Sequence, residues 1–128
     1  MTLHFAVGQA HALNGREASL QATHQALNRL GPVTPTFGMV FASHQYQARD
    51  VVSGISGLLG DTPIIGMSSP VGITNEGAHP NSVVIALMAG DVQAETHWIP
   101  GFAQSARESG AKLMKSVIDH KDNRALLF

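Results

Sequence analysis

The chain has 128 residues, no cysteine and a formal net charge of −1, with Lys+Arg 8 against Asp+Glu 9. That length suits one domain able to bury about two-thirds of the surface its unfolded chain exposes. The lack of Cys excludes disulfide frameworks, Cys-based zinc sites, iron–sulfur clusters and thiol nucleophiles, and the absence of a basic stripe argues against nucleic acid as a partner.

No run approaches the ~18 apolar residues of a membrane helix, and residues 1–12 lack the charged start and apolar stretch of a signal peptide. A cytoplasmic protein without membrane insertion is expected. Charged residues make up 13% of the chain, against about 25% in typical domains. Two readings stay open: a neutral polar surface rich in Gln, Ser, Thr, Asn and His, or a surface partly covered by more protein.

In chain order, residues 3–7 read as a first strand. Asn14 is a candidate N-cap, with Glu17 at the capping-box position. The helix that follows runs to Leu30, with Leu20, Ala26, Leu27 and Leu30 towards one side, Ala18 and Ala22 beside them, and Gly31-Pro32 ending it. Residues 36–42 (TFGMVFA) form a second strand whose unbroken apolar run fits burial on both faces. Ser43 is then the expected cap of a second helix carrying Val51, Val52, Ile55, Leu58 and Leu59 as a core stripe. Gly54 and Gly57 inside that helix suggest a close backbone approach, since interior glycine costs ~1 kcal/mol relative to alanine. Gly60 closes it.

Residues 63–67 (PIIGM) read as a third strand, followed by a Ser-, Pro-, Gly- and Asn-rich loop over residues 68–80. Residues 82–89 (SVVIALMA) form a strong strand, and Gly90-Asp91 reads as the turn of a hairpin whose partner is residues 92–99. On that partner Val92, Ala94, Thr96 and Trp98 share one face. A last helix spans residues 102–120, with Ala103, Ala106, Gly110, Leu113, Met114, Val117 and Ile118 inward. Residues 124–128 (RALLF) look like the start of another strand. The expected fold is α/β, a mixed sheet packed by helices in the order β-α-β-α-β-β-β-α-β. Leu126, Leu127 and Phe128 want burial, so an incomplete domain, a portion of a longer one, is expected.

The stretch VFASHQYQARDVVSGISGLLGDTPIIGMSSPVG, followed by Gly77 and SVVIALMAGD, carries an ordered set of motifs. These are Phe41-Ala42-Ser43 at a strand end, Ser53-Gly54-Ile55 in a helix, Leu59-Gly60 at a turn, Pro63 to Ser69 as a strand with its serine pair, and Gly72. The set resembles the N-terminal FIST domain, and the resemblance extends over most of the chain. One departure concerns Val71-Gly72-Ile73, where the family often shows A-G-E, so any ligand contact made by that acidic residue is in doubt. The resemblance implies a sensory input module for signal transduction. Its ligand would be a small molecule such as an amino acid, and its partners the remainder of a FIST protein or a signalling output module. Some relatives are haem proteins that respond to nitric oxide, so haem is a possible cofactor.

Ligands of open α/β sheets gather beyond the carboxyl ends of parallel strands. Ser43 and His44 follow the second strand, Ser68 and Ser69 the third, and Tyr46 lies close by in sequence. These five are the candidate ligand-binding residues, with the N-terminus of the second helix favouring a carboxylate or phosphate. The bland alternative is that the serines only cap a helix and a turn. Arg49, near the first turn of that helix, reads as either solvated or offset by a held anion. The seven His lack zinc-site spacing, whereas haem needs one axial His. Gly66-Met67-Ser68-Ser69-Pro70 fails the G-x-S-x-G pattern, and neither a P-loop nor a close carboxylate pair occurs. No enzyme is therefore expected. Besides sensing, a haem-based sensor and a ligand-free interaction scaffold remain open.

Overall fold

The computed structural model describes residues 2–118. The chain divides into two units, Met1–Glu95 and Thr96–Phe128. In the first, the elements are β1 (Leu3–Ala10), α1 (Gly15–Leu30), β2 (Pro35–Ala42), α2 (Ala48–Leu59), β3 (Ile64–Ser68), β4 (Val71–Thr74), β5 (Gly77–Pro80) and β6 (Val83–Gly90). The described part of the second unit contains the helix α3 (Ala106–Ile118). The class is the expected mixed α/β, opening β-α-β-α-β.

The main sheet has the order β1-β6-β2-β3. Strand β6 lies antiparallel to both β1 and β2, and β2 pairs parallel with β3. Strands β1, β2 and β3 therefore run in one direction and end on one side. By register Ala6, Val40, Ile85 and Leu87 share one face of the sheet, and they belong to the core with Ala18, Ala22, Ala26, Val51 and Ile55 of the helices. Helix α1 packs across β1 and β6, and lies along α2.

Glycine governs how closely these layers meet. A side chain at Gly8 would collide with the backbone of α1 at Ala22 and Ala26. The helix face that meets the sheet is consequently the small-residue stripe Ala18, Ala22 and Ala26, all fully buried. Leu20, expected towards that side, is exposed, because a leucine does not fit where backbones approach this closely. Between the helices, Gly54 faces Ser19 and the Arg16 carbonyl, with no space for a Cβ. The buried hydroxyls of α1 turn back on their own helix, Ser19 Oγ donating to Arg16 O at 3.0 Å and Thr23 Oγ1 to Ser19 O at 2.7 Å. Gly57, by contrast, meets nothing. Val52 of the expected stripe is also exposed, while Val51, Ile55 and Leu59 are buried.

Helix starts and loops show both agreement and correction. Asn14 caps α1, its side chain accepting from Glu17 N at 2.9 Å; the Glu17 carboxylate accepts from Gln21 rather than closing a capping box. Residues 68–80 are not a loop throughout but hold the β4–β5 hairpin, with Gly77 at φ +125° in its turn. Gly72 of this hairpin backs onto Val84 on the second face of the sheet, where a Cβ would meet the valine. Residues 92–99 form no strand. Both edges of β6 are already paired, with β1 and β2, so no ladder is left for a hairpin partner, and Trp98 is 85% exposed.

Helix α3 begins at Ala106, not at residue 102. Gly101, at φ +87°, sets a turn in which its carbonyl accepts from Gln104 N and Ser105 N. Ala103 and Ala106 are exposed, as is Met114; Leu113 and Gly110 are half-buried and Val117 is buried. The expected strand at residues 124–128, with Leu126, Leu127 and Phe128, lies outside the described residues, as does the side chain of Ile118.

Two glycines of one helix thus predict opposite outcomes in chemical denaturation. Gly54→Ala should destabilise by about 1–3 kcal/mol, as overpacked sites do, despite its gain in helix propensity. Gly57→Ala should stabilise by up to ~1 kcal/mol. Equal effects of the two substitutions would contradict the close α1–α2 approach.

Candidate functional site

The carboxyl ends of β1, β2 and β3 deliver His11, Ser43 and Ser68 to the same side of the sheet, where β6 begins. The β2–β3 ladder runs to the very ends of both strands there: Ser69, the first residue after β3, donates its N–H to Ala42 O at 2.8 Å. Ser43 continues the pairing with the strand beside it, its N–H donating to Ser82 O at 2.9 Å, and its carbonyl accepts from Tyr46 N at 3.0 Å. This turn over residues 43–46 corrects the expectation that Ser43 caps α2. The cap is Gln47, which makes no side-chain cap bond, and α2 begins at Ala48. The physical reason is that Ser43 is still held by Ser82, so the chain needs four more residues before it can enter the helix.

The same turn carries Tyr46 into the core, where it is buried. Its hydroxyl donates to Ala12 O at 2.7 Å, lies 3.0 Å from Asn81 O and accepts from Ala12 N at 3.3 Å. Asn81 has a positive φ of 53°, a conformation asparagine tolerates better than most residues. Its carbonyl also receives His11 Nδ1 at 2.6 Å and Gln45 Nε2 at 3.5 Å. A carbonyl only accepts, so Nδ1 of His11 carries the proton. One backbone oxygen therefore gathers side chains from the ends of β1 and β2. Sequence reasoning missed His11 and Asn81. The strand-end rule applied to β1 reaches His11, and a Pro80-Asn81 pair before a strong strand signals the left-handed turn.

Beside this knot a cleft of about 310 Å³ opens between β2, β3 and the start of α2. Tyr46 and Ser68 line it together with apolar and small residues, among them Val40, Ala42, Ala48, Val52 and Met67. Of the five candidate residues, the structure brings Tyr46 and Ser68 onto this cleft. Ser43 is buried next to it in sequence, His44 is exposed on the turn, and Ser69 is half-buried with its hydroxyl donating to Val71 O at 2.8 Å. Tyr46 offers the cleft its ring, because its hydroxyl is engaged by backbone. Arg49 is a solvated arginine, 86% exposed and 3.9 Å from Asp50. Among the described residues no His lines the cleft, so none of them supplies an axial ligand for haem there. Among the described residues no group of three His, Asp or Glu is placed to hold a metal ion.

Tyr46→Phe should remove the hydroxyl's bonds to Ala12, while Asn81 O keeps His11 and Gln45, and lower stability by about 1 kcal/mol, the net worth of a hydrogen bond. Urea denaturation measures this; an unchanged midpoint would show that the hydroxyl does not tie the strand ends.

Comparison with known proteins places the chain in a family. No curated protein matches the sequence. Among solved structures, an FtsZ mutant from M. jannaschii is similar at 20% identity and a TM-score of 0.45, over 70% of this chain and 28% of that one. The chain thus spans under a third of that protein's length. Among the described residues no helix is long and apolar enough to cross a membrane. Residues 36–128 match the family model of the FIST N domain, and the chain therefore belongs to the FIST N domain family, a signal-transduction sensory family.

Proposed function

We propose that the chain is a cytoplasmic sensory input domain that binds a small molecule with an anionic group, an amino acid or a comparable small acid, at the carboxyl ends of β2 and β3. The observation that carries this reading is the cleft of about 310 Å³ at the paired carboxyl ends of β2 and β3, with Ser68 on its lining. That volume falls at the small end of ligand pockets, roughly 300–1,000 Å³. In this reading Ser68 donates to the anionic group from the lip of the cleft, His44 and Ser43 border it, and the ring of Tyr46 forms a wall. The Ser69 hydroxyl has given its proton to Val71 O, so Ser69 acts by holding the loop rather than by donating. Occupancy is passed to the remainder of a FIST protein or to an output module.

A haem-based sensor is the second reading, and the cleft's lack of His counts against it there. A ligand-free scaffold is the third. A thermal-shift screen of the chain against amino acids and short carboxylic acids, with a visible spectrum after adding haemin, separates them. The proposal expects stabilisation by an acid and no Soret band. Ser68→Ala should weaken that acid at least about tenfold, the loss of one charge-assisted hydrogen bond, with no change in the ligand-free melting temperature. Tight binding retained by Ser68→Ala would overturn the assignment of this serine, and a Soret band with no acid response would favour haem.

A further inference from the structure

A helix that joins two parallel strands ordinarily packs over both. Here α2 makes only light contact with β2 and lies chiefly along α1. The cause is Gly54, which lets α2 approach α1 until nothing larger than glycine fits between them. The core-side positions of β3 are left with little cover. They are Ile64, Gly66 and Ser68, which pair in register with Gly38, Val40 and Ala42. Small residues on every side, Ala42, Ala48, Gly66 and Ser68, keep the resulting wedge open, and Gly66 is itself required because a Cβ there would strike Val40.

We infer that this wedge is a subsite for the apolar body of the ligand, an unbranched alkyl or aryl group, with its polar end at Ser68. The inference rests on the proposed site at the strand ends and adds the ligand class. The lining side chains are apolar apart from Ser68 and the Tyr46 hydroxyl, and the latter is already engaged by backbone. An apolar cavity of about 150 Å³ holds benzene, so the wedge suits about two such rings or an alkyl chain of similar bulk. Val52, 46% exposed on α2, stands at its rim, and its exposure is explained if a ligand covers it.

The test is a homologous series measured by calorimetry on the full chain: butanoate, hexanoate and octanoate, with 1-hexanol and 1-octanol beside them. Affinity should rise about fourfold per methylene, the increment for burying one CH₂. Val52→Trp, which fills the wedge from its exposed rim, should flatten the series; Ala48→Leu serves the same purpose if the tryptophan variant does not fold. A native chain whose affinity is flat across the series overturns the inference. So does a filled variant that keeps the native slope. Alkanols that show the slope and bind as tightly as the acids support the apolar subsite while overturning the anionic-group reading, so the two failures are distinguishable.

Discussion

The contact between Gly54 and Ser19 is the constraint on which the site depends. Helices with ordinary side chains at their crossing stand 8–10 Å apart. Here a glycine on α2 and a serine on α1 remove that spacing, and the serine hydroxyl is satisfied within its own helix, so its burial leaves no unpaired group. The closeness has two consequences. It lets one small-residue stripe, Ala18, Ala22 and Ala26, serve a helix pressed onto β1 at Gly8. It also draws α2 towards α1 and away from β3, which opens the cleft. The FIST-like motif Ser53-Gly54-Ile55 is therefore a packing device whose effect is felt at the strand ends.

A second arrangement lies beside the cleft and holds one of its walls, Tyr46. Asn81, in a left-handed conformation, presents its carbonyl to His11 and Gln45 beside the Tyr46 hydroxyl. These residues come from three separate segments, and a hydrogen-bonded knot of this kind holds strand ends without a cap on α2. The uncapped start of α2 at Ala48 remains next to the cleft. This suits a sensory domain: the walls are set by buried groups, while the lip is made of an exposed Ser68 and a turn bearing His44. A ligand seated there would meet a preformed apolar wall and an exposed polar edge.

Where local chemistry decided the structure, the residues announced it. Asn14 with Glu17, Gly31-Pro32, Leu59-Gly60 and the apolar runs of β2, β3 and β6 all carry their own signals. Where three-dimensional pairing decided, they did not. Residues 92–99 alternate well enough for a strand, yet β6 had no free edge, a fact that depends on β1 returning from the start of the chain. The β4–β5 strands are four residues each, too short for periodicity to show among serines and glycines. Ser43 has the chemistry of a helix cap, but its N–H is spent on Ser82. The strand-end rule pointed to the side of the sheet where the cleft opens, and two of its five residues, Tyr46 and Ser68, line that cleft. The cleft itself was not legible, because it arises from α2 lying against α1 rather than over β2, and not from any residue that lines it.

The central claim is that a small molecule enters between β2, β3 and the start of α2, held by its apolar body and its polar end together. The most direct measurement is a backbone amide NMR titration of the chain with octanoate. The account predicts saturable shifts concentrated in residues 42–52 and 64–69, with β4, β5 and the far end of β1 unmoved. Shifts centred on the opposite face of the sheet, around Phe5 and Met88, or none as octanoate approaches millimolar concentration, would contradict it.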